Sequence, residues 1–148
     1  MKKLILCLTI LLGLSTSGIQ AKDLVVYFSA QGHTQAVAEE VARVTGADIL
    51  RIEAADPYAA NPYDDSERVK REAYDDQRPG VANLPDAEII AQYDRLFVGS
   101  PIWWHNPAMV VCTFLESYDL AGKIIVPFFT YGATTYLQQS LDKIYEVT

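Results

Sequence analysis

Hydrophobic residues fall along this chain in two alternating rhythms. Short unbroken apolar runs, Leu24-Val25-Val26-Tyr27-Phe28 first among them, alternate with longer stretches in which apolar residues return every three or four positions. An unbroken run of this length marks a strand buried on both faces of a parallel sheet, and the longer spacing marks a helix with one inward stripe. The pattern therefore predicts a strand over 24–28, then a helix with Val37, Val41 and Val44 as its stripe and Gly46 as its stop. A second strand is predicted over 48–53, with Ile49, Leu50 and Ile52 as its apolar content.

The segment 54–93 breaks the rhythm with Pro57, Pro62, Pro79, Pro85 and many charges. A polar helix is predicted over about 64–76, with Val69 and Ala73 on its inner side, and a short one over 86–91. The charge run from Asp64-Asp65 to Asp75-Asp76 reads as a solvated face. The rhythm returns with a strand over 95–99 and a loop over 100–106. Asn106-Pro107 then gives a cap and first-position signal for a helix carrying Val111, Leu115 and Tyr118, with Val110 and Phe114 beside them. A further strand over 123–129, a loop over 130–135 and a helix with Leu137, Leu141 and Ile144 complete the series. Strand, loop and helix in repeated alternation define a doubly wound, three-layer α/β domain over 22–148.

The N-terminus follows a different rule. Met1-Lys2-Lys3 is basic, 4–14 is almost continuously apolar, and Ser15, Thr16, Ser17 and Gly18 lead to Ala21. This is the plan of a secretory signal covering 1–21, which would make the protein exported, with the apolar run short for a bilayer span. Of the two cysteines, Cys7 lies in that segment, so Cys112 would stand alone in the exported chain and form no internal disulfide. A formal net charge of −7 with no basic cluster argues against nucleic acid as a partner.

In a doubly wound sheet, ligands bind beyond the carboxyl ends of the strands, where the strand order reverses. Three loops occupy that position: 29–35, 100–106 and 130–135. The first, Ser29-Ala30-Gln31-Gly32-His33-Thr34-Gln35, offers hydroxyls, amides and a glycine just ahead of a helix N-terminus. Such a place has free N–H groups and a dipole suited to an anion, held here by neutral donors because the loop has no Lys or Arg. On pattern alone it is either an anion cradle or an ordinary strand–helix turn. In the second loop, Trp103 and Trp104 would either stack on a flat ring or cover the sheet end. The third brings Tyr131 and Gly132 to the neighbouring strand end.

The opening VVYFSAQGHTQAVAEEVA resembles the phosphate loop of flavodoxins. The stretch FVGSPIWWHNPAMVVCTFLESYDLAGKIIVPFFT resembles the region from third to fourth strand of a bacterial flavodoxin-like subgroup, some members of which are exported. The resemblance implies a parallel sheet in the order 2-1-3-4 and an FMN cofactor. It implies that Ser29, Gln31, Gly32, His33, Thr34 and Gln35 surround the phosphate. Pro101, Ile102, Trp103, Trp104, His105 and Asn106 would lie beside the isoalloxazine ring, with Thr130, Tyr131 and Gly132 on its other edge. Flavodoxins are among the folds from which the strand-end rule was drawn, so that agreement is not independent. Flavodoxins of this kind continue into a fifth strand and a final helix. Against that pattern the sequence reads as short, leaving the apolar fourth strand as an edge open to pairing with a second copy.

The function expected is electron transfer through bound FMN, with an unknown redox partner protein or a quinone as the second participant. A quinone reductase-like enzyme using a nicotinamide is the variant within that class. A serine hydrolase built on Ser29 or Ser100 with His33 or His105 lacks the G-x-S-x-G elbow. A cofactor-free module binding through the exposed sheet edge is the remaining alternative.

Overall fold

The computed structural model describes residues 21–132 and 136–148. Expected site segments fall within this range except for 133–135, the end of the third loop, and the signal expected over 1–21 lies outside it save for Ala21. Strand β1 (Asp23–Tyr27) leads into helix α1 (His33–Thr45), then β2 (Asp48–Arg51), α2 (Ser66–Tyr74) and α3 (Ala87–Ala91). Strand β3 (Arg95–Trp103) is followed by the two-residue strand β4 (Asn106–Pro107), α4 (Met109–Glu116), β5 (Ile124–Thr130) and α5 (Leu137–Glu146). The parallel strands run in the order β2-β1-β3-β5, which is the 2-1-3-4 order expected, and β4 folds back antiparallel on β3.

Alternation along β1 sorts the core into two layers, because successive side chains of a strand point to opposite faces. Leu24 and Val26 join Leu96, Val98, Ile90, Phe114, Leu115 and Ile144 in the larger cluster, under α3, α4 and α5. Val25 and Tyr27 face the other way, toward Ala38 of α1. The α1 stripe differs from expectation: Thr34 and Ala38 are its buried residues, with Val41 and Ala42 beside them, while Val37 and Val44 are exposed. Tyr27, Phe97 and Phe128 fill this layer from the sheet side, so the helix supplies small residues to it.

Two further corrections bear on the site. Strand β3 does not stop at residue 99 but runs to Trp103, because β5 pairs with it as far as Pro101↔Thr130. Asn106-Pro107 does not cap a helix: it pairs with Ile102 and Trp103, and α4 begins at Met109 after Ala108. The segment expected to be a loop is thus a hairpin. Likewise the charge run of α2 is not wholly solvated. Glu72 is buried, accepting hydrogen bonds from Tyr58 Oη at 2.7 Å and from Arg68 Nε at 2.9 Å.

Strand β5 is only half-buried and Ile124 is exposed. Among the described residues it pairs with β3 on one side and with no strand on the other.

Candidate functional site

The carboxyl ends of β1, β3 and β5 enclose a cavity of about 810 Å³. That volume lies within the range usual for small-molecule sites, about 300–1,000 Å³. Its wall comprises Gln31 and His33 from the first loop, Pro101, Ile102, Trp103 and Trp104 from the hairpin, and Phe129, Thr130, Tyr131 and Gly132 from the end of β5. Pro62, Tyr63, Ser66 and Val69 complete it from the start of α2.

The first loop is ordered from within. Ser29 is buried and its Oγ accepts the Gly32 N–H at 3.1 Å. Gly32 takes φ +89°, a left-handed conformation that glycine adopts without strain. Its carbonyl accepts the Ala36 N–H at 3.0 Å, which starts α1. The first N–H groups of a helix have no intrahelical acceptors, and the first turn of α1 has no acidic residue. Thr34 is buried, and its hydroxyl lies 2.8 Å from that of Thr130, tying this loop to the end of β5. The Gln35 side chain turns away from the cavity and donates to Glu39 Oε1 at 2.8 Å.

The hairpin is built from packed aromatic rings. Trp103 is half-buried and meets Phe28 and Tyr58 edge-on at ring separations of 5.4 and 5.2 Å. Burial, and then the hydrogen bond to Glu72, push the Tyr58 phenol far above its ordinary pKa, so it stays a donor. Trp104 and His105 form the two-residue turn, both left-handed with φ of 47° and 73°. This is the type I′ geometry that tight hairpins demand, usually met by Asn and Gly, and imposing it on Trp-His strains the backbone. External clamps hold the turn. The His105 ring stacks on Tyr136 at 3.6 Å, and its carbonyl accepts Ser140 Oγ at 3.1 Å. Trp104 is partly exposed beside Tyr74, with Lys70 Nζ 5.2 Å from its ring centre.

Nine of the fifteen residues singled out from sequence therefore share the cavity wall: Gln31, His33, Pro101, Ile102, Trp103, Trp104, Thr130, Tyr131 and Gly132. The other six take supporting positions. Ser29, Gly32 and Thr34 shape the first loop, and Gln35 lies on the flank of α1. His105 stacks away on Tyr136, and Asn106 is buried, donating from Nδ2 to the Ala73 carbonyl at 3.4 Å. The α2 contribution was not anticipated, although Pro62-Tyr63 just ahead of a predicted helix was a usable signal. The serines are poor nucleophile candidates. Ser100 Oγ is buried and accepts the Ala108 N–H at 2.9 Å, as Ser29 Oγ accepts that of Gly32. Cys112 is fully buried, and burial pushes its thiol pKa up to about 12, so it stays a protonated core residue.

A parallel sheet in this order with a cavity at its strand ends defines a doubly wound α/β protein, a class in which ligands bind at the switch point. The family model for flavodoxin matches residues 22–146, and the chain belongs to the flavodoxin family. It is similar to crystal structures of two proteins proposed by name to be flavoproteins. The one from Bacteroides eggerthii is 34% identical, with a TM-score of 0.77 over 85% of this chain and 80% of that one. The one from Bacteroides uniformis is 32% identical, with a TM-score of 0.76 over 85% and 81%. A flavoprotein from Lactobacillus acidophilus, crystallised in complex with FMN, shares the fold at 22% identity, with a TM-score of 0.70 over 86% and 85%. Curated proteins include no significant match.

Proposed function

We propose that this chain binds FMN in the cavity at the ends of β1, β3 and β5 and passes electrons through it. The observation that carries the reading is the pairing of two unlike walls in one cavity. A loop of backbone donors at the start of α1 suits a phosphate, and a partly exposed tryptophan hairpin suits a flat apolar ring. Open space beyond Gly32 and Gly132, where a Cβ would meet no atom within 4 Å, leaves room for a ligand to approach the backbone. The residues present thus fit the group. The first loop would hold the phosphate, Trp104 and Tyr131 would flank the ring, and Trp103 would set the hairpin's position by packing on Phe28 and Tyr58. Bound FMN would supply the one- or two-electron chemistry; the protein's part is binding, orientation and exclusion of water.

The reading includes export through the signal expected over 1–21, and a redox partner that is a protein or a quinone. The exposed cavity rim at Tyr63, 83% exposed, and Tyr131 favours a small acceptor reaching the ring, which is the quinone reductase-like variant. Among the described residues β5 pairs with β3 alone, and that edge is the support for a homodimer, which light scattering tests directly. The decisive experiment is the visible absorption spectrum of residues 22–148 before and after FMN is added. A bound-flavin spectrum with shifted bands and quenched flavin emission is expected. A colourless protein that leaves added FMN unperturbed would return the chain to a cofactor-free binding role.

A further inference from the structure

The first loop has no cation in its own sequence, yet the fold brings one to it. Arg51 ends β2 and is paired in register with Tyr27, the last residue of β1. Its guanidinium reaches the loop from beside the cavity, outside the cavity wall. Nη2 donates to the Ser29 carbonyl at 2.9 Å, and Nη1 lies 3.5 Å from Gln35 Oε1. Gln35 is held from its other end by Glu39, so Ser29, Arg51, Gln35 and Glu39 form one chain of contacts along the outer side of the loop. Among the described residues, Arg51 is the only Lys or Arg hydrogen-bonded to any residue of 29–35.

The position matters because of what surrounds it. The chain carries a net −7, and Glu39 and Glu40 follow closely on α1. A phosphate monoester brings about −1.5 to −2 more at neutral pH. Helix-terminal N–H groups orient such an anion, but their partial charges offset only part of it. A guanidinium is always protonated, and its rigid planar fork is pre-organised to hold a carbonyl and an amide oxygen at fixed spacing, so it loses less side-chain freedom per hydrogen bond than an ammonium on a flexible stem.

We propose that Arg51 is the positioning and charge-supplying residue of the phosphate loop, setting how strongly this chain prefers a phosphorylated flavin to the unphosphorylated one. The inference rests on the FMN reading above and adds to it a residue outside the loop. It also predicts a distinct dependence on salt. Arg51 is solvent-exposed, so its attraction for an anion is screened as ionic strength rises, whereas a purely structural staple would be indifferent.

The test is a fluorescence titration of FMN and of riboflavin into wild type, Arg51→Gln and Arg51→Lys, each at low and high salt. For wild type, FMN affinity should fall with salt while riboflavin affinity stays level. Arg51→Gln should lose about five- to tenfold in FMN affinity at low salt, with riboflavin little changed and the salt dependence flattened. Arg51→Lys should keep the salt dependence and recover part of the affinity. Equal losses for FMN and riboflavin in Arg51→Gln would mean that Arg51 only staples β2 to the loop, and an unchanged FMN affinity would remove it from the cradle. Should Arg51→Gln fail to fold, the wild type still decides: an FMN affinity indifferent to salt overturns the proposal. A wild type that binds neither flavin overturns the FMN reading itself.

Discussion

The loop over 29–35 and the hairpin over 101–107 close the same cavity by opposite means. The loop relies on backbone: a buried serine and a left-handed glycine set the turn, and its side chains do little beyond holding the shape. The hairpin relies on side chains. Its backbone is strained at Trp104 and His105, and rings clamp it from three sides, Phe28 and Tyr58 against Trp103 and Tyr136 against His105. An anion site tolerates variation in side chains because every residue except proline carries a backbone N–H. A ring site depends on which aromatic is packed and which is free. The two tryptophans, adjacent in sequence, therefore have different duties: Trp103 holds the hairpin, and Trp104 offers a surface.

The largest effect should separate those duties. Trp103→Ala removes a half-buried ring from a three-ring cluster and should cost about 3 kcal/mol of folding stability, read by denaturant unfolding. Trp104→Ala should leave stability within about 0.5 kcal/mol. Similar losses from both would erase the distinction.

Gly32→Ala probes the other side. With no atom within 4 Å of an added Cβ, the cost is that of the left-handed backbone alone, about 1–2 kcal/mol. It should appear as a lower Tm and, because the loop distorts, as weaker FMN binding with riboflavin less affected.

Next in size, Trp104→Ala should weaken both flavins by the same factor, about 0.5–1.5 kcal/mol, since a stacking ring does not sense the phosphate. A loss confined to FMN would place Trp104 at the wrong end of the ligand.

The last effect lies outside the site and is absent at neutral pH. The folded Cys112 thiol keeps its proton up to about pH 12, whereas an unfolded cysteine releases it near about 8.5. A raised folded pKa means that the stability this group contributes is intact below about 8.5 and is lost as pH rises toward 12. Thermal melts should therefore fall across the alkaline range, and less steeply in Cys112→Ala. Thiol reagents should leave the folded protein unlabelled near neutral pH.

Order and type of the main elements were legible because each strand is a compact apolar run, and parallel sheets bury such runs on both faces. What was not legible depended on partners distant in sequence. Val37 and Val44 look like an inward stripe with Val41 until Tyr27, Phe97 and Phe128 occupy that layer, where Ala38 is buried and Val41 and Ala42 pack beside it. The hairpin was hidden because Trp104-His105 has none of the residues that normally announce a type I′ turn, and Asn106-Pro107 imitates a helix start. Glu72 reads as one more surface charge until Tyr58 and Arg68 enclose it. Arg51 lies 16 residues beyond Gln35 and reaches the loop only because β2 and β1 pair in register.

The division of labour between loop and hairpin is tested most directly by titrating FMN and riboflavin, side by side, into the unmodified protein. Hydrogen bonds to a charged group contribute about 1.5–3 kcal/mol each. The account predicts that riboflavin binds through the ring site alone and that FMN binds more than tenfold more tightly. Equal affinities would mean that the loop over 29–35 is a turn and nothing more, and that the phosphate has no place in this cavity.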